Sequence, residues 1–162
     1  MRHFLTALLL AALTATPALS EELIGKAKIV DGDTLEIVDQ RVHLRGVDAP
    51  EREQECTSRK GKVYKCGLQS IRYLFGMLRN QTLTCTGEAR SADGGLIASC
   101  KIRWLDVNAQ IVLDGWAFSD APNGDLYRRE EDAARSRREG LWRGGEVEEP
   151  WLWRQKHGGG SQ

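Results

Sequence analysis

Val30-Asp31-Gly32-Asp33-Thr34-Leu35-Glu36-Ile37-Val38, followed after Asp39-Gln40 by Arg41-Val42-His43-Leu44-Arg45-Gly46-Val47-Asp48-Ala49-Pro50-Glu51, is the stretch on which the reading of this chain turns. From Thr34 to Val38, Leu35 and Ile37 alternate with polar residues, the period of a half-buried strand, and Asp31-Gly32-Asp33 ahead of it is turn chemistry. Leu23 to Val30 reads as the strand on the other side of that turn, so the two make a hairpin. In a third strand Val42 and Leu44 face one way and Arg41, His43 and Arg45 the other, until Pro50 closes it. Asp31 and Asp33 thus stand at the hairpin turn, and Asp48 and Glu51 just past the end of the third strand. With strand three returning beside strand two, both acidic pairs reach the same edge of the sheet.

Carboxylates collected in this way repel one another unless a cation sits between them. An all-oxygen set without Cys or His favours calcium or magnesium. The plainer reading is that Asp31-Gly32-Asp33 is only a good turn and Glu51 a solvated loop charge.

Outward from this stretch, Arg52 to Lys65 is polar and aperiodic, a loop closed by Cys56 and Cys66. Leu68, Ile71, Leu74, Phe75 and Leu78 recur at helical spacing and predict an amphipathic helix from Gly67 to about Arg79-Asn80. Leu83 with Cys85, and Leu96 to Ile102, predict two more strands around Ser91-Ala92-Asp93-Gly94-Gly95. Asp106 caps a short helix over 107–114 that stops at Gly115, and a longer helix spans Leu126 to Arg138 with Gly140 as its terminator. The basic run of that helix is balanced by Glu130, Glu131, Asp132 and Glu139, which makes it a solvated face, and Trp104, Trp116, Trp142, Trp151 and Trp153 are read as core and docking residues. Strands in this order, with one helix between the third and fourth, predict an α+β fold: a five-stranded OB-type Greek-key β-barrel with three α-helices. Barrels of this kind bind oligonucleotides or oligosaccharides on one face.

The chain has 162 residues, 41% hydrophobic and 28% charged, a composition suited to one globular domain and contrary to disorder or a multipass membrane protein. Arg2 and His3 precede the apolar run Phe4 to Ala15, and Ala18-Leu19-Ser20 closes it with small residues. That is the pattern of a secretory signal peptide over 1–20, too short to span a membrane. The domain is then expected over 21–154 and a flexible tail over 155–162. Loss of Arg2 with the leader turns the balance of 23 basic and 23 acidic residues into a net charge of minus one. A near-neutral chain excludes strong nonspecific nucleic-acid binding, so any nucleic-acid contact is local. Export places Cys56, Cys66, Cys85 and Cys100 in an oxidising compartment, and no C-x-x-C pair is present, which favours disulfides over zinc. Of the three possible pairings, opposition of Cys85 and Cys100 across their hairpin leaves Cys56 with Cys66.

The run from Val30 to Leu35, with Arg41 to Glu51, closely resembles the thermonuclease family, the staphylococcal nuclease-like proteins. Leu96 to Cys100, Val107 to Ala117, Gly140 to Gly144, Pro150 and Trp153-Arg154 resemble the family's later landmarks in order, so the resemblance runs from about Ile24 to Arg154. It implies the same OB barrel and calcium-dependent hydrolysis of phosphodiester bonds in DNA and RNA. Carried over by position, Asp33 and Asp48 are carboxylate ligands of the Ca2+ ion, Ala49 offers its backbone carbonyl, and Glu51 is the general base for the attacking water. The family ordinarily adds two phosphate-clamping arginines. Here those positions hold His43 and, after the later hairpin turn, Gly95. Arg45, one strand period beyond His43, is the favoured substitute, with protonated His43 itself and Arg90 as the others.

The sequence therefore predicts an exported, monomeric nuclease-like protein, periplasmic or secreted, with nucleic acid as substrate and turnover lowered by the two replacements. Its rivals are a catalytically silent OB module that binds nucleic acid or another anionic polymer, and a periplasmic interaction domain without nucleic acid.

Overall fold

The structure is a computed structural model that describes residues 20–145 and 147–158. The expected export segment, Ser20 apart, and the end of the expected tail at 159–162 lie outside the described residues.

In chain order the strands and helices are β1 (Glu21–Gly25), β2 (Lys28–Ile29), β3 (Thr34–Ile37), β4 (Gln40–Leu44), β5 (Val47–Asp48), β6 (Glu55–Thr57), β7 (Val63–Lys65), α1 (Cys66–Leu78), β8 (Leu83–Arg90), β9 (Leu96–Ile102), β10 (Leu105–Asp106), α2 (Val107–Leu113), β11 (Phe118–Ser119), α3 (Arg128–Arg137) and α4 (Pro150–His157). The main sheet runs β1-β8-β9-β4-β3-β2, antiparallel except for the β4/β9 pair. The first expected strand is broken at Lys26-Ala27, and its halves join opposite ends of the sheet, β1 on β8 and β2 on β3. One stretch of chain touching both ends curls the sheet into a half-barrel, consistent with the OB-type barrel predicted from the element order.

The inside of this sheet is closed by Leu35, Ile37, Val42, Leu83, Leu96 and Ala98, with Leu74 of α1 and Ile111 and Val112 of α2 against them, all fully or almost fully buried. Asp106 caps α2 by accepting a hydrogen bond from the Ala109 N–H, as its position predicted. A second, smaller core joins the Cys56–Cys66 disulfide to Phe118, Leu141 and Val147, with Trp116, Trp142 and Trp151 packed on it. This core fastens the approach to α4 beside the loop that follows Glu51. The second disulfide, Cys85–Cys100, bridges directly opposed residues of β8 and β9, with Cα atoms 4.0 Å apart. Both bridges are the pair read from the sequence.

Several local expectations need correction. The third strand ends at Leu44 rather than Val47, because Arg45-Gly46 forms a turn with Gly46 at φ +72°. The chain then restarts as β5, which pairs with β11 instead of the main sheet. Arg52 to Lys65 is more than a loop, for β6 and β7 form a small hairpin within it. On α1 the buried line is Gly67, Ser70, Leu74 and Leu78, and Phe75 lies on its flank, 55% exposed. Trp104 is 85% exposed, because Arg103 and Trp104 are the tip of the tight turn between β9 and β10. A fourth helix, α4, is present beyond the three expected.

Candidate active site

Asp33 immediately precedes β3, and Asp48 lies on β5. Both are buried. Asp33 Oδ2 accepts a hydrogen bond from the Ala49 N–H at 2.8 Å, and Oδ1 accepts from the Thr34 hydroxyl at 2.9 Å. The first of these joins the hairpin turn to the segment carrying Asp48, so the two acidic stretches do meet at one edge of the sheet. Asp31 behaves differently, since its Oδ1 accepts from the Gly32 N–H and it serves the turn itself.

Burial pushes the Asp33 carboxyl up to about 7, and the neighbouring Asp48 charge pushes the same way against the two hydrogen bonds. Burial also raises Asp48, opposed by the hydrogen bonds and charge of Arg154.

The backbone of Glu51 is held from two sides. The Gln54 N–H donates to the Glu51 carbonyl at 2.8 Å, while Gln54 Oε1 accepts the Glu51 N–H at 3.1 Å. The same fully buried amide donates through Nε2 to the Glu148 carbonyl at 2.7 Å, tying the Glu51 turn to the segment that leads into α4. On the other side Gly67, in the first turn of α1, presses against the Glu51 carbonyl so closely that a Cβ there would lie 1.7 Å from the oxygen.

From α4, Arg154 reaches into this group. Its Nη1 donates to Asp48 Oδ1 at 2.9 Å and to Glu51 Oε1 at 2.8 Å, and its Nη2 donates to Asp48 Oδ2 at 2.8 Å. These bonds hold the guanidinium well above its ordinary pKa. Asp33, by contrast, has no cationic side chain paired with it among the described residues. Nor do three or more His, Cys, Asp or Glu side chains among the described residues form a group able to hold a metal ion alone.

The remaining expected residues lie along a neighbouring edge. His43 Nδ1 is 3.1 Å from the Thr34 hydroxyl oxygen, and its Nε2 is 3.1 Å from both carboxylate oxygens of Asp93. Asp93 also takes Arg41 Nη1 at 3.1 Å. Its carboxyl is held well below the usual range, chiefly by hydrogen bonds from Ser91 and the Gly95 N–H, with His43 and Arg41 adding to them. Gly95 abuts the imidazole, for a Cβ on it would fall 2.7 Å from His43 Cδ2. The two positions at which the resemblance implied arginines are therefore adjacent in space, and Asp93 neutralises Arg41 beside them. Arg45 lines a cleft of about 440 Å³ with Ser91, Ile97, Asp120, Asn123 and Leu126. Arg90 does fold over the hairpin turn, donating to the Gly94 carbonyl, and is ion-paired with Glu21.

A protein-family model described as staphylococcal nuclease homologue matches residues 41–144, well over half of the chain. This chain is a member of the staphylococcal nuclease homologues. It is 37% identical over 139 residues to the succinoglycan biosynthesis protein ExoI of Rhizobium meliloti (strain 1021), an alignment covering 83% of this chain and 73% of that protein. It is 25% identical over 148 residues to an uncharacterized endonuclease of Escherichia coli O157:H7, covering 86% and 90%. It is 27% identical over 161 residues to the micrococcal nuclease of Shigella flexneri, covering 88% and 86%.

Within this staphylococcal nuclease homologue, the residues that sequence reasoning missed are Gln54, Asp93 and Arg154. Trp153-Arg154 was legible as a landmark, yet its partners lie 106 and 103 positions earlier, beyond any local pattern. Gln54 looks in the sequence like one more polar residue of a charged loop, and nothing marks it as buried.

Proposed function

We propose that this protein is an exported, calcium-dependent nuclease that hydrolyses phosphodiester bonds of DNA or RNA as a monomer in the periplasm or outside the cell. The observation that carries the reading is the Ala49 N–H to Asp33 hydrogen bond, which joins two acidic segments into one buried carboxylate site beside Glu51. The donor set fits the ion. Asp33 is a buried carboxylate without a cationic partner among the described residues, Asp48 adds a second, and the Ala49 carbonyl a third hard oxygen, leaving positions for water and phosphate oxygens. A calcium ion held by these oxygens would supply charge neutralisation to the phosphate.

The protein's own residues provide the rest. Glu51 offers Oε1 to Arg154 and leaves Oε2 to accept the proton of an attacking water, as the new phosphorus–oxygen bond forms and the bond to the leaving oxygen breaks. Both ring nitrogens of His43 lie against other groups, Thr34 and Asp93, and Gly95 has no side-chain donor, so turnover is expected to be lowered. The two disulfides suit an exported protein, and no helix among the described residues is long and apolar enough to cross a membrane.

A second reading is favoured by Asp93, which neutralises Arg41 and occupies His43 Nε2 on the exposed edge: a silent module that binds nucleic acid or another anionic polymer without cutting it. Incubation of purified protein with single-stranded and duplex DNA, with calcium and with chelator, decides. Cleavage that needs calcium and disappears in Glu51→Gln is the expected result. Binding without cleavage at any calcium concentration would replace it with the second reading.

A further inference from the structure

The hydrogen bonds of Arg154 leave a particular part of its guanidinium unused. Asp48 takes the end-on pair, Nη1 and Nη2, through both carboxylate oxygens, and Glu51 takes the second Nη1 hydrogen. What remains is the Nε hydrogen and the second Nη2 hydrogen, and neither meets an acceptor among the described residues. In a planar guanidinium these two are parallel along one edge, the spacing that grips two oxygens of a phosphate. Nε has no partner among the described residues and is not sealed from solvent. The Arg154 side chain as a whole is 19% exposed and is clamped on Asp48 and Glu51, the carboxylates read as cation ligand and base.

We propose that Arg154 is a catalytic residue that binds the scissile phosphate through this free edge, delivered from α4 and held in register by Asp48 and Glu51. The proposal rests on the reading of the site as a phosphodiesterase centre. It accounts for how such a centre works with a histidine shared with Asp93 and a glycine on its neighbouring edge: the guanidinium comes from the other end of the chain. Asp48 and Glu51 fix its position before substrate arrives, so little ordering is left to be done when the phosphate binds. Both carboxylates have further lone pairs, so binding Arg154 does not exhaust either.

The test compares the full chain with Arg154→Ala and Arg154→Lys in two assays. One is calcium-dependent cleavage of a single-stranded DNA oligonucleotide, and the other is the affinity for the same oligonucleotide in chelator, read by fluorescence anisotropy. Removal of the fork is expected to lower kcat/KM roughly 10²- to 10³-fold and affinity roughly 10- to 100-fold. Added guanidinium chloride at low millimolar concentration should restore part of the lost cleavage to Arg154→Ala, while Arg154→Lys, charged but without the paired edge, stays impaired.

Cleavage and affinity equal to the parent would overturn the proposal, as would a loss of cleavage that tracks a fall in melting temperature and is not rescued by guanidinium. A gain in cleavage would make Arg154 a plug on the acidic site and overturn it too. Should the parent protein fail to cut in any calcium concentration, the nuclease reading falls by itself. The anisotropy arm then still decides whether Arg154 touches phosphate.

Discussion

Gly67 stands against the carbonyl of Glu51 so closely that any side chain there would have its first carbon 1.7 Å from that oxygen. The contact sets how far the turn after Pro50 can move from α1. Gly67→Ala is expected to push the Glu51 backbone outward, cost about 1 to 3 kcal/mol through overpacking and reduce cleavage more than oligonucleotide affinity. Denaturant titration with parallel assays of cleavage and affinity checks it; unchanged cleavage would mean that Glu51 is placed by something else.

The Asp33 carboxyl has a folded-state pKa of about 7, against roughly 3.9 when unfolded. The native state therefore binds more protons between these values, and the cation-free protein loses stability as pH rises through that window, then levels above it. Three units correspond to about 4 kcal/mol at most. Melting in chelator at pH 5 and pH 8 should show a larger fall for the parent than for Asp33→Asn. Calcium should stabilise the parent more at pH 8, where the carboxylate is ionised; equal pH dependence in the two proteins would contradict the assignment.

Asp93 binds both His43 and Arg41 on the exposed edge. Asp93→Asn removes the only charge paired with Arg41 among the described ion pairs, so affinity for single-stranded DNA should rise at low salt. The slope of log affinity on log salt should steepen by about one. An unchanged slope would show that nucleic acid does not pass this edge.

The two disulfides should differ in their consequences. Each closes a short loop and contributes about 3 kcal/mol in the chain-entropy account. Cys85–Cys100 lies between strands already paired, so its replacement by serines should lower the melting temperature and spare the active edge. Cys56–Cys66 belongs to the core under the Glu51 turn, so its replacement should lower both stability and cleavage. Equal losses of cleavage would mean that the turn does not depend on that core.

Gln54 offers a further check. Replacing this buried amide with Leu removes its bonds to the Glu51 N–H and the Glu148 carbonyl, at a cost of about 1 to 3 kcal/mol. It should also loosen α4, which the fluorescence of Trp151 and Trp153 would report as a spectral shift in the native protein. No shift would mean that α4 is held without it.

β3, β4, β8 and β9, α1, α2 and both disulfides were legible because each rests on a short period or a local cap: Leu35 with Ile37, Leu74 with Leu78, Asp106 under Ala109, Cys85 facing Cys100. The errors came where one residue reverses the chain. Gly46 ended the third strand early, and the Arg103-Trp104 turn put a large aromatic side chain into solvent.

By itself the amino-acid order determined the barrel, the meeting of Asp33 with the Asp48 segment, and the absence of arginine at two positions near them. These depend on alternation, turn chemistry and residue identity, which are local. Only the tertiary structure decided that Asp93 binds Arg41 and His43 on one edge, that Gln54 ties the Glu51 turn to α4, and that Arg154 returns from the chain's end to Asp48 and Glu51. Charges find partners by distance in space, and a separation of a hundred residues along the chain leaves no periodic trace of them.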